Sequence, residues 1–290
     1  MKKNTKMIRV HILVSFLLVF SLQLLVTTSE AKDSWRNYKD PQSPIYTGNF
    51  SDRPTEQRAT RNYKIVSYNL HFSKEIVKIG EYFSSLPELK DADVIFLQEV
   101  TGIPGDSQKH SAQYLAQKLK YNYVYAPAFI QPSNSLDFGV AVLSKFPIRS
   151  FQKIILPHRY FLSGTQRVAL YAQLDDGGKL FDVVSTHLET LQFSYQRNDQ
   201  AQSTIGPILN STNPVFVAGD FNSAPFWQRW NLIRFMKHNH LTYFSRHYGL
   251  TTQTLMKLDL GFGRGVNVTH SGLLKIKTSD HYPVWFTVSL

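Results

Sequence analysis

Several short apolar runs in this chain carry, at or near their ends, polar side chains that a buried strand does not need. "KIVSYNL" ends at Asn69, "DVIFLQEV" carries Gln98 and Glu99, "FDVVSTHLE" ends at His187, and "VFVAGDFN" delivers Asp220 and Asn222. Ser279, Asp280 and His281 precede a last run, "YPVWFTVSL". Apolar stretches of this length, bounded by turn residues, read as strands. Taken singly, each polar group has an ordinary explanation: a capping acid, an Asx turn, a hydrogen-bonded core histidine. Taken together, they call for a fold that gathers distant strand ends at one rim.

The remaining pattern is that of an α/β unit. Residues 74–86 show helical spacing in Ile76, Ile79, Tyr82 and Phe83, and "SQKHSAQYLAQKLK" fits a second helix. "YNYVYAPAF", "FGVAVLSK", "RVALYAQL" and "KLFDVVSTHL" read as strands, the last two joined by an Asp175-Asp176-Gly177-Gly178 hairpin turn. A helix is expected over residues 195–209, broken or kinked at Gly206-Pro207, and another over residues 226–237. Early strand–helix alternation followed by hairpins argues against a purely parallel sheet. Two packed mixed β-sheets flanked by helices fit better.

The polar set defines a chemistry. Carboxylates, amides and imidazoles at successive strand ends supply metal ligands and acid–base groups together. Crowded acids raise one another's pKa unless a cation sits between them. A hard divalent ion such as Mg2+ or Mn2+ meets that need through oxygen ligands and retained waters. Imidazoles beside it can move protons near neutral pH. The chain has no cysteine, which excludes thiol catalysis, disulfides and cysteine zinc sites.

With "SYNL", "LQEV", "STHLE", "GDFNSAP", "LDLGFG" and "SDHYPV" in this order, the chain resembles the endonuclease/exonuclease/phosphatase superfamily from about Tyr63 to its C-terminus. The resemblance implies a four-layer α/β sandwich and metal-assisted hydrolysis of phosphate esters. It implies Asn69, Glu99 and Asp280 as the metal-binding residues. It implies His187, Asp220, Asn222, Asp259 and His281 as the catalytic residues. Within that set, Asp220 and Asn222 would hold water and phosphate oxygens, and Asp259 would orient His281. His71 stands where some nucleases of this kind place a second metal-binding acid, and Asp137 is a candidate to orient His187.

Residues 1–31 have the layout of a signal peptide: basic "MKKNTKMIR", apolar "VHILVSFLLVFSLQLLV", and small residues up to a cleavage point after Ala31. The chain is thus expected to be exported to a periplasm or medium; an uncleaved anchor is the alternative. Residues 32–62 read as a polar N-terminal arm or linker, and residues 63–290 as the catalytic domain.

Removing residues 1–31 takes four bases and one acid from totals of 32 and 21, so the net charge falls from +11 to +8 with histidines neutral. A basic surface attracts polyanions, so nucleic acid is the first expected substrate. Lys153, His158, Arg159 and Arg167 are candidates to line a phosphate channel. The alternative is a phospholipid or sphingomyelin phosphodiesterase on an anionic or phosphocholine lipid surface, reached through aromatics such as Tyr160, Phe161, Phe226, Trp227 and Trp230. Tryptophans on a helix more often belong to the core. A third reading is a non-catalytic polyanion-binding module. A monomer is expected, and no feature points to a partner protein.

Overall fold

Two β-sheets lie face to face, each covered on its outer side by two helices. The structure, a computed structural model, describes residues 35–52, 62–106 and 108–290. The signal-peptide reading of residues 1–31 falls outside the described residues.

The first sheet contains β1 (Arg36–Asn37), β2 (Tyr46–Gly48), β3 (Asn62–Asn69), β4 (Val94–Gly102), β5 (Asn122–Ile130), β6 (Asp137–Ser144), β13 (Asn267–Leu273) and β14 (Val284–Ser289), in the order β1-β5-β6-β4-β3-β14-β13 with β2 also on β5. The second contains β7 (Ile148–Ile155), β8 (Val168–Asp176), β9 (Lys179–His187), β10 (Val215–Asp220), β11 (Thr242–Tyr243) and β12 (Asp259–Arg264), in the order β11-β12-β10-β9-β8-β7. Only β3–β4 and β9–β10 pair in parallel among the described residues, so both sheets are mixed. The chain therefore forms the expected four-layer α/β sandwich. The polar arm is continuous with it: β1 and β2 pair with β5, and Tyr46 is buried.

Helices α1 (Ile76–Ser85) and α2 (Ser111–Leu119) cover the first sheet. Their Ile79, Phe83, Ala112, Leu115 and Ala116 meet Val66, Tyr68, Ile95 and Leu97. Helices α3 (Ser194–Ile205) and α4 (Phe226–His238) cover the second. Their Ala201, Ile205, Leu232 and Met236 meet Val184, Val215, Val217 and Phe262.

Strand side chains alternate between faces, so the partners of these outward residues point between the sheets. There Phe96 stacks on Phe216 at 6.2 Å, and Phe216 meets Phe286 edge-on at 5.1 Å. Each such buried ring contributes on the order of 2 kcal/mol. Toward one rim the inner residues become more polar. Phe96 gives way to Gln98, Ser67 to Asn69, Ser185 to His187, and Phe216 and Ala218 to Asp220. Gln98 bridges the sheets through long 3.4 Å hydrogen bonds to Ser67 and Ser185. The alternation that builds the core thus also aims the polar residues inward at one end.

Candidate active site

Strand register places the second sheet's contribution. Asp220 ends β10 level with His187 on parallel β9 and with Asp259 on antiparallel β12. The close approach depends on Gly219, at φ 152°, where an added Cβ would lie 2.0 Å from the Thr186 carbonyl oxygen. The glycine of "GDFN" is therefore a packing requirement.

On the first sheet, a bulge presents Glu99. Gln98 pairs with Val140 and Val100 with Gly139, leaving Glu99 as the extra residue at φ 55°. A bulge of this kind redirects one side chain. Glu99 accepts Asn69 Nδ2 at 3.2 Å and the Phe72 backbone N–H at 3.1 Å. The Phe72 amide comes from a turn in which His71, Phe72 and Ser73 all have positive φ.

Asn69 Nδ2 also donates to Asp220 Oδ2 at 3.2 Å, joining the two sheets at the rim. The same carboxylate oxygen faces His187 Nε2 at 3.4 Å and His281 Nε2 at 3.7 Å. Its other oxygen accepts the Asn222 backbone N–H at 2.9 Å. His281 Nδ1 lies 2.9 Å from Asp259 Oδ2. Ser279 Oγ ties the Asp280–His281 loop down by donating to the Asn69 carbonyl at 2.7 Å. Asp280 Oδ1 stands 3.7 Å from His71 Nδ1.

The structure thus brings Asn69, Glu99, His187, Asp220, Asp259 and His281 into one chain of contacts, with Asp280 tied to it. Asn222 neighbours Asp220, but its side-chain amide donates to the Leu188 carbonyl at 2.8 Å and so clamps two loops together.

The two imidazoles differ in charge. Arg167 Nη1 stands 3.3 Å from His187 Nδ1, and a guanidinium can only donate. His187 Nδ1 is therefore an acceptor, and its proton sits on Nε2, toward Asp220. Burial, with help from Arg167 and His281, pushes its pKa well below the ordinary imidazole value. For His281 burial also opposes the charge, but Asp259 and Asp220 outweigh it and lift its pKa to about 10. Burial lifts Asp220 to about 6 against the pull of His281. Glu99 is likewise raised by burial, with Arg167 and His281 opposing and Asp280 adding to the rise.

The donor set fits a hard cation. Among the described residues no three acids or imidazoles form a ready metal cage. What surrounds Glu99 is oxygen chemistry: its own half-buried carboxylate, the Asn69 amide, and the half-exposed carboxylate of Asp280. An ion that keeps several waters and needs one or two carboxylates suits such a site. The raised proton affinity of Glu99 is what a bound cation relieves.

Three sequence expectations change. Lys153 does not line a channel: it is buried and donates to the Ser43 carbonyl at 2.7 Å, which anchors the arm. Asp137 accepts the Tyr38 hydroxyl at 2.6 Å, and Arg167 is the group found on His187. Trp227 and Trp230 lie on the exposed face of α4 rather than in the core.

Two arginines gain importance. Arg167 makes a forked pair with buried Glu189, at 3.1 and 3.3 Å. Arg197 is fully buried and donates to the Glu189 and Phe221 carbonyls, linking the loops that follow β9 and β10. For Glu189 the signal was its place directly after "STHL"; for Arg197 the sequence offers none.

Carboxylates, amides and imidazoles from both sheets thus face one another around a single rim whose donor set suits a hydrated cation. The chain belongs to the Endonuclease/Exonuclease/phosphatase family, which it matches over residues 66–281. Among solved structures, an endonuclease/exonuclease/phosphatase family protein from Leptotrichia buccalis superposes with a TM-score of 0.65 at 17% identity, covering 79% of this chain and 100% of that one. TDP2 of D. rerio, complexed with a single-strand DNA product, gives 0.58 at 19% identity over 79% and 99%. A mannosyl-6-phosphatase of Bacteroides thetaiotaomicron gives 0.58 at 17% identity over 79% and 100%. These likenesses establish the fold, and the family makes the chain a member of a largely phosphoesterase superfamily.

Proposed function

We propose that the protein hydrolyses phosphodiesters by metal-assisted attack of water. The observation that carries this reading is Asp220 Oδ2, which faces Asn69, His187 and His281 at 3.2–3.7 Å. Glu99, with Asn69 and Asp280, would hold a divalent ion, Mg2+ or Mn2+, whose chemistry is to neutralise charge on a phosphoryl oxygen. Asp220, a carboxylate above its pKa of about 6, orients a water and accepts its proton. His281, kept charged by Asp259, stabilises the anionic transition state and can return a proton to the leaving oxygen. His187 contributes a neutral N–H donor, fixed in its tautomer by Arg167.

Nucleic acid is the substrate that the basic charge favours, and the DNA-bound TDP2 neighbour is in keeping with it. Phospholipid or sphingomyelin phosphodiesters are the second reading, favoured by exposed aromatic residues at the rim. We propose that the protein is exported and acts as a monomer. The complete set of acids, amides and imidazoles argues for turnover over polyanion binding alone.

The test is a panel of DNA, RNA, sphingomyelin, phosphatidyl lipids, inositol phosphates and a soluble aryl phosphodiester, with Mg2+ and then with chelator. Hydrolysis that stops on chelation is expected. Full activity in Glu99→Ala or His281→Ala would remove this assignment.

A further inference from the structure

Three segments at the rim are laced side by side. Gln192 Nε2 donates to the His158 carbonyl at 2.5 Å, and Gln228 Nε2 donates to the Gln192 carbonyl at 2.9 Å. The segment before β8, the loop after β9 and the start of α4 are thereby neighbours. The last two follow directly from the strands that carry His187 and Asp220.

The outward side chains of these segments are large and apolar. Phe161, Phe193 and Phe226 are 67%, 71% and 71% exposed, and Tyr195, Trp227 and Trp230 are all more than half exposed. Helix α4 turns Leu232 and Met236 to the core and leaves the two tryptophans in solvent. Single exposed apolar residues are ordinary, but a group of this size marks a surface that meets something.

The accompanying charge is basic. Helix α4 has Arg229, Arg234 and Lys237 and no acid. Trp227, Trp230, Arg234 and Lys237 follow helical spacing along one exposed stripe, and the Arg234 guanidinium stands 4.5 Å from the Trp230 ring centroid. Tryptophan beside cationic side chains on a helix surface suits the boundary between headgroups and acyl chains.

A platform for stacking nucleic-acid bases would also use aromatics and cations. Here, however, Leu162 and Leu191 are exposed in the same segments. An aliphatic side chain offers a base no π-face, whereas it gains by leaving water for hydrocarbon.

We propose that this rim docks on the surface of a bilayer containing anionic phospholipid, which presents headgroup phosphodiesters to the Asp220 site. The inference rests on the hydrolase reading for what is cleaved, and on the surface alone for what is bound.

The test uses the full chain and vesicles of phosphatidylglycerol and phosphatidylcholine brominated in the acyl chain, with tryptophan emission as readout. Emission is expected to be quenched, and Trp227→Phe with Trp230→Phe is expected to abolish most of the quenching although Trp35 and Trp285 remain. Membrane binding by another segment would leave quenching of Trp35 or Trp285 in the double variant, so it is the loss of quenching with these two rings that reports their insertion. Arg234→Glu with Lys237→Glu is expected to lower partitioning at least tenfold on anionic vesicles and to change it little on phosphatidylcholine alone.

Absent quenching, or quenching unchanged in the double variant, overturns the proposal. So does emission that ignores vesicles and responds to a single-stranded oligonucleotide, which would make the surface a stacking platform. The soluble aryl phosphodiester separates the two readings. Wild type and the double variant are expected to cleave it equally; if neither does while quenching persists, the hydrolase reading fails and the docking surface stands.

Discussion

His281 Nδ1 and Asp259 Oδ2 are 2.9 Å apart, although Asp259 opens β12 of the second sheet and His281 lies in the loop that leads into β14 of the first. The carboxylate fixes which nitrogen of the ring faces Asp220 and stabilises its charge. Asp259→Asn keeps the shape but removes that charge. Its kcat is expected to fall by about a hundredfold or more, the usual worth of a positioned acid–base group. Steady-state kinetics on the soluble phosphodiester with unchanged KM would confirm the assignment.

Gly219 tests the register that aligns Asp220 with His187. A methyl group there meets the Thr186 backbone oxygen at 2.0 Å, and backbone cannot swing aside as a flexible side chain can. Gly219→Ala is expected to lose about 3 kcal/mol or more of stability, in the range of severe overpacking. Gly249→Ala is the control: its φ lies outside the left-handed region, and no atom lies within 4 Å of an added Cβ. Urea unfolding should place it within about 1 kcal/mol of wild type.

The strand ends show what the sequence displays and what it hides. Asn69, His187 and Asp220 are readable because each closes an apolar run with a polar side chain that a buried strand does not need. Glu99 appears as an acid after an apolar run, but its bulge is silent, since one inserted residue changes no composition. Strand β12, "DLGFGR", is not among the strands that the apolar pattern offers, for a reason of space: a Cβ on Gly261 would lie 2.6 Å from Phe286, and one on Gly263 would lie 2.6 Å from the Val215 oxygen. Strand β7 is an edge strand whose exposed stretch, Arg149 to Gln152, interrupts its isoleucines with polar residues, so it carries little apolar pattern. Buried Arg197 is invisible because its partners are carbonyl groups that only the folded loops assemble.

Glu99 should separate metal binding from folding. Burial raises its pKa, so its charge is held at a cost in the metal-free protein. Glu99→Gln is expected to leave the melting temperature in EDTA unchanged or slightly higher. With Mg2+ the wild type should melt at a higher temperature and the variant should not, since binding to the native state alone stabilises it. A variant that still gains stability from Mg2+ would move the metal to other ligands.

Arg167 bears on stability as well as on His187. Its partner Glu189 is 1% exposed, so Arg167→Met leaves a carboxylate buried without its countercharge. Losing one member of such a pair costs about 3–5 kcal/mol. Arg167→Met with Glu189→Gln should recover most of that loss in urea unfolding, because no unpaired charge remains.

The pH dependence follows from Asp220 and His281. Asp220 must be ionised to accept a proton, so activity is expected to rise as pH passes through about 6. His281 must be charged to stabilise the transition state, so activity should decline as pH approaches about 10. Asp259→Asn, which removes the largest cause of that upward shift, should move the alkaline limb down toward the ordinary imidazole range while some activity remains to follow it. Stability carries the same signature. His281 binds its proton more tightly when folded, so its contribution is complete below 6.5 and disappears as pH rises to about 10. Urea midpoints measured in EDTA across that window should therefore fall with pH in the wild type and fall less steeply in Asp259→Asn; equal slopes would show that Asp259 does not hold the proton on His281.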